Sequence, residues 1–118
     1  MKKIALFFLF LLTSLCIFSE DSVALNIYSN IELDYLTQEL GNSYYENVFV
    51  INFDYKLKYE TEPNYFNYFT KEELSNGVEI KMREWDLEEK HILTWSRKNE
   101  KNKWIIFYSL EYGNSVEF

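Results

Sequence analysis

One cysteine, one histidine, one proline and three glycines are all this 118-residue chain holds of the residues that usually mark a metal centre, a disulfide framework or a glycine-rich loop. Cys16 lies in an apolar N-terminal run, so a chain processed after that run has no thiol and no disulfide, although small exported domains often depend on them. With His91 the only imidazole and no calcium-loop spacing, a metal would fall to carboxylates such as Asp86, Glu88 and Glu89. Those three read as a solvated turn. Glycine is too scarce for a phosphate loop or a nucleophile elbow, and no metal or other cofactor is expected. Basic residues are also in deficit, twelve against nineteen acidic ones for a net charge of −7. That balance opposes nucleic acid, whose affinity rests on Lys and Arg against phosphates, and an anionic membrane surface. Among nineteen acids no facing carboxylate pair for glycoside hydrolysis stands out.

What the chain does have begins at its start. Met1-Lys2-Lys3 is basic, and residues 4–18 are apolar except for Thr13 and Ser14. A basic start, a short apolar run and a small residue before the cut describe a cleaved export signal over residues 1–19. The run is shorter than the roughly 20 residues of a membrane-spanning helix and ends in Glu20-Asp21. Cleavage after Ser19 is expected, with Ala24 as the alternative; an uncleaved anchor and lipidation of Cys16 are the rival readings, the latter opposed by Leu15 before the cysteine. Loss of Lys2 and Lys3 leaves ten basic residues against nineteen acidic ones, a charge of −9. Residues 20–118 then form one small domain, periplasmic or extracellular, whose core draws on ten Tyr and the six Phe that remain after the signal.

Residues 22–28 alternate as a short strand. Ser29-Asn30-Ile31-Glu32 has the form of a capping box and predicts a helix over 30–40, stopped by Gly41-Asn42. Phe49, Ile51, Phe53, Tyr55, Leu57 and Tyr59 alternate with mostly polar residues, predicting a long half-buried strand over 47–60. Val48 and Val50 on its polar side suggest that its first part is covered on both faces. Thr70-Lys71-Glu72-Glu73 is a second capping box, opening a one-turn helix that ends at Gly77. Strands at 78–85, 90–97 and 104–112, joined by polar 86–89 and 98–103, form an antiparallel meander.

These connections set a register. Trp85 faces Lys90, Glu84 faces His91 and Met82 faces Leu93; Arg97 faces Trp104 and Trp95 faces Ile106. One sheet face then gathers Val78, Ile80, Met82, Leu93, Trp95, Ile106, Tyr108 and Leu110, and a one-residue slip would scatter them. The other face is polar except for Trp85, Ile92, Ile105 and Phe107.

The expected fold is α+β: one N-terminal helix packed on a curled antiparallel sheet of four to five strands. A small all-β barrel, with 22–28 and 65–69 both as strands, is the alternative. The order of elements resembles the cystatin-like arrangement; none of the cystatin inhibitor signals is present, so no inhibitory role is implied. Glu84 and His91 form the one carboxylate–imidazole pair suited to proton transfer, or else a polar pair at the sheet rim. Arg97 and Trp104 read as a stacking pair closing the sheet. Trp85, Ile92 and Phe107 on the polar face, with Tyr65, Phe66 and Tyr68, are the candidate binding residues; the competing reading is core beneath a second helix or the N-terminal strand. The expectation is a non-catalytic module that binds a protein, peptide or envelope component through sheet aromatics or an edge strand. A small-ligand or sugar site on a concave aromatic face, and an enzyme using Glu84 and His91, are the alternatives.

Overall fold

The computed structural model describes residues 23–113; the expected export segment, the Ser19 cleavage context and Cys16 lie outside them. Five strands, β1 (Val23–Leu25), β2 (Tyr45–Ile51), β3 (Val78–Asp86), β4 (Lys90–Lys98) and β5 (Trp104–Gly113), pair antiparallel in the order β1-β5-β4-β3-β2. Two helices accompany them, α1 (Leu33–Leu40) and α2 (Lys71–Asn76), with a 3-10 turn at Tyr65–Asn67. The domain is α+β and its sheet is open, with β1 and β2 as its edges. A single N-terminal helix therefore does not describe it, and the barrel alternative fails because residues 65–69 form no strand.

α1 starts later than the capping box predicts. Ser29 Oγ donates to Asn26 Oδ1 rather than capping a helix, and Asn30 takes a left-handed φ of 68°. The segment instead joins the sheet: Asn30 N donates to Ile106 O, Ile106 N donates to Ile31 O, and Glu32 bridges Ile105. Those backbone bonds outweigh one side-chain cap. Gly41 ends α1 as expected, at φ 87°. The second capping box does form, Thr70 Oγ1 accepting from Glu73 N and Glu73 Oε1 from Thr70 N.

The predicted long strand stops at Ile51. Asn52 Oδ1 accepts from Asp54 N at 2.8 Å and Asn52 O from Tyr55 N at 3.2 Å, a side-chain-closed turn that competes with the ladder. The alternation beyond it carries Tyr55 back over Phe49 and leaves Phe53, Leu57 and Tyr59 exposed.

Both hairpins are tighter than expected. Asp86 joins β3 and pairs with His91, so Trp85 faces Ile92, Glu84 faces Leu93 and Met82 faces Trp95. Each partner is displaced by two, which preserves the faces. In the second hairpin Asn99 Oδ1 accepts from Lys101 N and Lys103 N, and Lys98 faces Trp104. A bulge then intervenes: Trp95 pairs with Tyr108 but Ser96 with Ile106, leaving Phe107 as the extra residue. Ile106 and Phe107 consequently exchange the faces that strict alternation assigns them.

Two layers cover the sheet. Beneath the 52–77 connection lie Ile51, Val78, Ile80, Leu93, Trp95 and Leu110, packed with Tyr65, Phe69, Leu74 and the half-buried Phe107. On the other face Tyr28, Leu33 and Leu36, from α1 and the segment before it, pack on Trp85, Ile92 and Ile106 of the sheet. Each such aliphatic side chain withdrawn from water contributes roughly 1.5–3 kcal/mol. This second face also buries an ion pair, Lys90 Nζ to Glu111 Oε1 at 2.6 Å, with the Tyr28 hydroxyl donating to the same oxygen at 2.8 Å.

Candidate binding surface

The two sheet edges differ. β1 is three residues long, short enough to offer little template. β2 runs Tyr45-Glu46-Asn47-Val48-Phe49-Val50-Ile51 and pairs with β3 alone among the described residues. Natural edges are usually blunted by lysine, proline or a bulge. β2 has none of these, and its single charge, Glu46, is taken by Arg83 at 2.5 Å. Val48 and Val50, expected to be covered, are 45% and 59% exposed, because α1 reaches only as far as Arg83, whose Nη1 donates to Thr37 Oγ1. Next to them on the same face stand Lys81 and Glu79, their register partners. Lys81 and Lys98 lie over the Trp104 ring at 4.7 and 5.1 Å.

On the opposite face β2 presents Tyr45, Asn47 and Phe49 to a wall built from the 55–62 segment. One carboxylate shapes that wall. Glu62 Oε2 accepts from the Tyr55 and Tyr65 hydroxyls at 2.8 and 2.9 Å, and Oε1 from the backbone N–H groups of Lys58 and Tyr59 at 3.0 and 3.2 Å. Burial, then the hydrogen bond to Glu62, pushes both phenols well above the usual tyrosine range, so they remain donors. Tyr55 stacks on Phe49 at 5.7 Å, and Tyr65 meets both rings edge-on. Between wall and strand is a crevice of about 70 Å³ lined by Tyr45, Asn47, Phe49, Tyr59, Met82 and Trp95, with Lys58 and Glu62 among its polar groups.

The sequence-predicted residues divide. Trp85 is 1% exposed and Ile92 fully buried under α1, Trp85 Nε1 donating to Gly41 O at 2.9 Å. Phe107 lies on the other face, so these three do not form one surface. Phe107 instead meets Tyr65, Tyr68 and Phe69, with ring centroids 6.4, 5.2 and 5.2 Å away. Tyr65 is buried, Tyr68 partly exposed and Phe66 about half exposed. Arg97 does not meet Trp104: its guanidinium lies over Phe69 and pairs with Glu73.

Glu84 and His91 are not cross-strand partners either. His91 Nδ1 lies 3.1 Å from Asp86 Oδ1, and its ring stacks on Tyr112 at 4.9 Å. Burial raises the Glu84 carboxyl above its ordinary value; nearby His91 opposes that rise and Asp86 adds to it. Among the described residues no group of three His, Cys, Asp or Glu side chains is placed to hold a metal, and no helix is long and apolar enough to cross a membrane.

Sequence reasoning missed Glu62 and the edge status of β2. Only the first had a local signal, an acid just before Pro63 in an aromatic-rich stretch. Set against known proteins, the chain matches no family model, no curated protein and no solved structure.

Proposed function

We propose that the domain is an exported, non-catalytic interaction module that joins a partner polypeptide by strand addition at β2. The observation that carries the reading is the unguarded edge itself: seven residues with one paired charge and two exposed valines. Backbone N–H and C=O groups along such an edge give affinity to any extended segment, and side chains on alternate faces give selectivity. An edge of this composition left open is an aggregation hazard. A partner strand removes the hazard and supplies the function together.

The small-ligand reading draws less support. Binding cavities for whole small molecules usually measure ~300–1,000 Å³; a hollow of about 520 Å³ beside Phe107 is lined mostly by the polar stretch 97–101, and the aromatic crevice holds about 70 Å³. That is room for part of one side chain. The enzymatic reading loses its premise where Asp86, rather than Glu84, partners His91.

A photo-crosslinking residue placed at Val48 and, as a control, at exposed Glu100 tests the proposal in exporting cells. The expected result is a discrete adduct with another polypeptide from position 48 alone. Equal or absent cross-linking at the two positions refutes it.

A further inference from the structure

Building on that reading, we infer that the partner segment is an extended, net-positive strand that carries an aromatic or long aliphatic anchor on its crevice-facing side. Three observations specify this occupant. First, the crevice opens on the same face as Tyr45, Asn47 and Phe49 of β2. Along that row the short Asn47 stands between two rings, so a side chain from a strand laid beside β2 has one gap through which to pass. The anchor lies against Tyr45, Phe49 and Tyr59, and aromatic contact of this kind is where interface energy concentrates.

Second, the crevice volume of about 70 Å³ admits part of one side chain and leaves no space for a second. The neighbouring residues on that face of the partner are therefore smaller or turned along the strand. On the other face, the partner lies against Val48 and Val50, which suits β-branched residues or lysine stems.

Third, the charge of the chain chooses between a second copy and a different partner. The full sequence carries −7; at β2 itself Glu46 is paired with Arg83, and Lys81 and Glu79 flank the valines, so the local acidic excess lies just beyond the strand, in Asp54, Glu60 and Glu62 against Lys56 and Lys58. Two copies meeting edge to edge would bring like fields together, whereas a basic segment is drawn in.

The heptapeptide Lys-Val-Thr-Phe-Thr-Val-Lys, acetylated and amidated, is a suitable probe, since its apolar residues share one face and its charge is positive. Titration into the processed protein, followed by calorimetry and by amide hydrogen exchange, is expected to slow exchange in β2. Glycine in place of the phenylalanine should weaken binding tenfold or more, as should Tyr59→Ala, which removes an exposed wall of the crevice, and Asn47→Phe, which fills the gap. Glutamate in place of both lysines should weaken it further in low salt than in high salt.

β2 protection that is indifferent to the phenylalanine, to Tyr59→Ala and to Asn47→Phe overturns the anchor and leaves strand addition standing. β2 protection with equal affinity for the glutamate peptide overturns the charge assignment. No protection of β2 by any of the peptides overturns the inference. Concentration-dependent self-association that protects β2 without peptide makes the occupant a second copy, and that also overturns it. The photo-crosslink at position 48 reports on strand addition separately from all of these.

Discussion

Removing the Lys90 charge should be among the most damaging single changes in the domain. Lys90 Nζ and Glu111 Oε1 lie 2.6 Å apart with side chains 11% and 4% exposed. Glu111 also accepts from the Tyr28 hydroxyl, and burial followed by the Glu111 charge raises that phenol far above the tyrosine range. Tyr28 therefore stays a donor, and among the described residues Lys90 is the cation that neutralises the carboxylate. In Lys90→Met the carboxylate is left buried without its counter-ion, a loss of about 3–5 kcal/mol. The second carboxylate oxygen is buried without a hydrogen bond among the described residues, which gives the orphaned charge no relief. Set against a total of roughly 5–15 kcal/mol for a small domain, the variant sits near the edge of folding. Glu111→Gln keeps an acceptor for Tyr28 but strands the ammonium, and should cost a similar amount. The double change Lys90→Met with Glu111→Leu removes both charges and should recover most of the loss, short of about 1.5–3 kcal/mol for the hydrogen bond from Tyr28 to the carboxylate. Urea unfolding followed by tryptophan fluorescence gives the cycle directly. A single-variant cost under about 1 kcal/mol, or strict additivity in the double variant, would show that the pair is solvated and the reasoning wrong.

Two carboxylates should respond to pH with opposite signs. Hydrogen bonds from Arg97 and from Thr70 N lower the Glu73 carboxyl, so its stabilisation is present above the unfolded value and lost as pH falls through the folded one. Glu73→Gln should cost about 1 kcal/mol at neutral pH and less in acid. Glu84 is raised, chiefly by burial, so its ionisation destabilises the fold as pH rises from the unfolded value through the folded one. Glu84→Gln should raise the urea midpoint at pH 7, with the advantage gone below pH 4. Gly77→Ala should cost roughly 1–3 kcal/mol, because φ is 84° and an added Cβ would stand 3.0 Å from Val50 Cγ1. Since Val50 lies on the free edge, the same variant should alter β2 exchange rates, and unchanged rates would contradict that contact.

The parts of the fold readable in the sequence are those set by local chemistry. The Thr70–Glu73 box and the Gly77 stop form as written, because both partners lie within one turn. The faces of β3 and β4 survive a register shift of two, since parity and not pairing decides which side chains are buried together. What could not be read depends on competition. Ser29 and Glu32 have the residues of a cap, yet the segment has backbone partners on β5 that no local pattern announces. The bulge at Phe107 has no glycine or proline to mark it, and it alone sends Ile106 under α1 and Phe107 to the aromatic cluster. Trp85 and Ile92, conspicuous on a polar face, prove to be the seat of α1.

The candidate surface was hardest to read, because an edge is a property of strand order and not of a strand. Tyr45–Ile51 has the composition of an interior strand, β-branched and aromatic with one charge, and in the middle of a sheet Val48 and Val50 would be core. They are exposed because α1 covers the sheet from β5 toward Arg83 and stops there. They also lie on the outermost strand of the order β1-β5-β4-β3-β2. Alternation in the sequence records which residues tend to be buried, not what buries them. Here the record and the fold disagree at one place, an interior-like strand with a neighbour on one side alone among the described residues. Local preference and global position usually agree in a foldable sequence, and their conflict tends to mark function. The missing second neighbour is thus the most informative feature of β2: its composition anticipates a sixth strand, and the chain turns away at Asn52 with none supplied among the described residues.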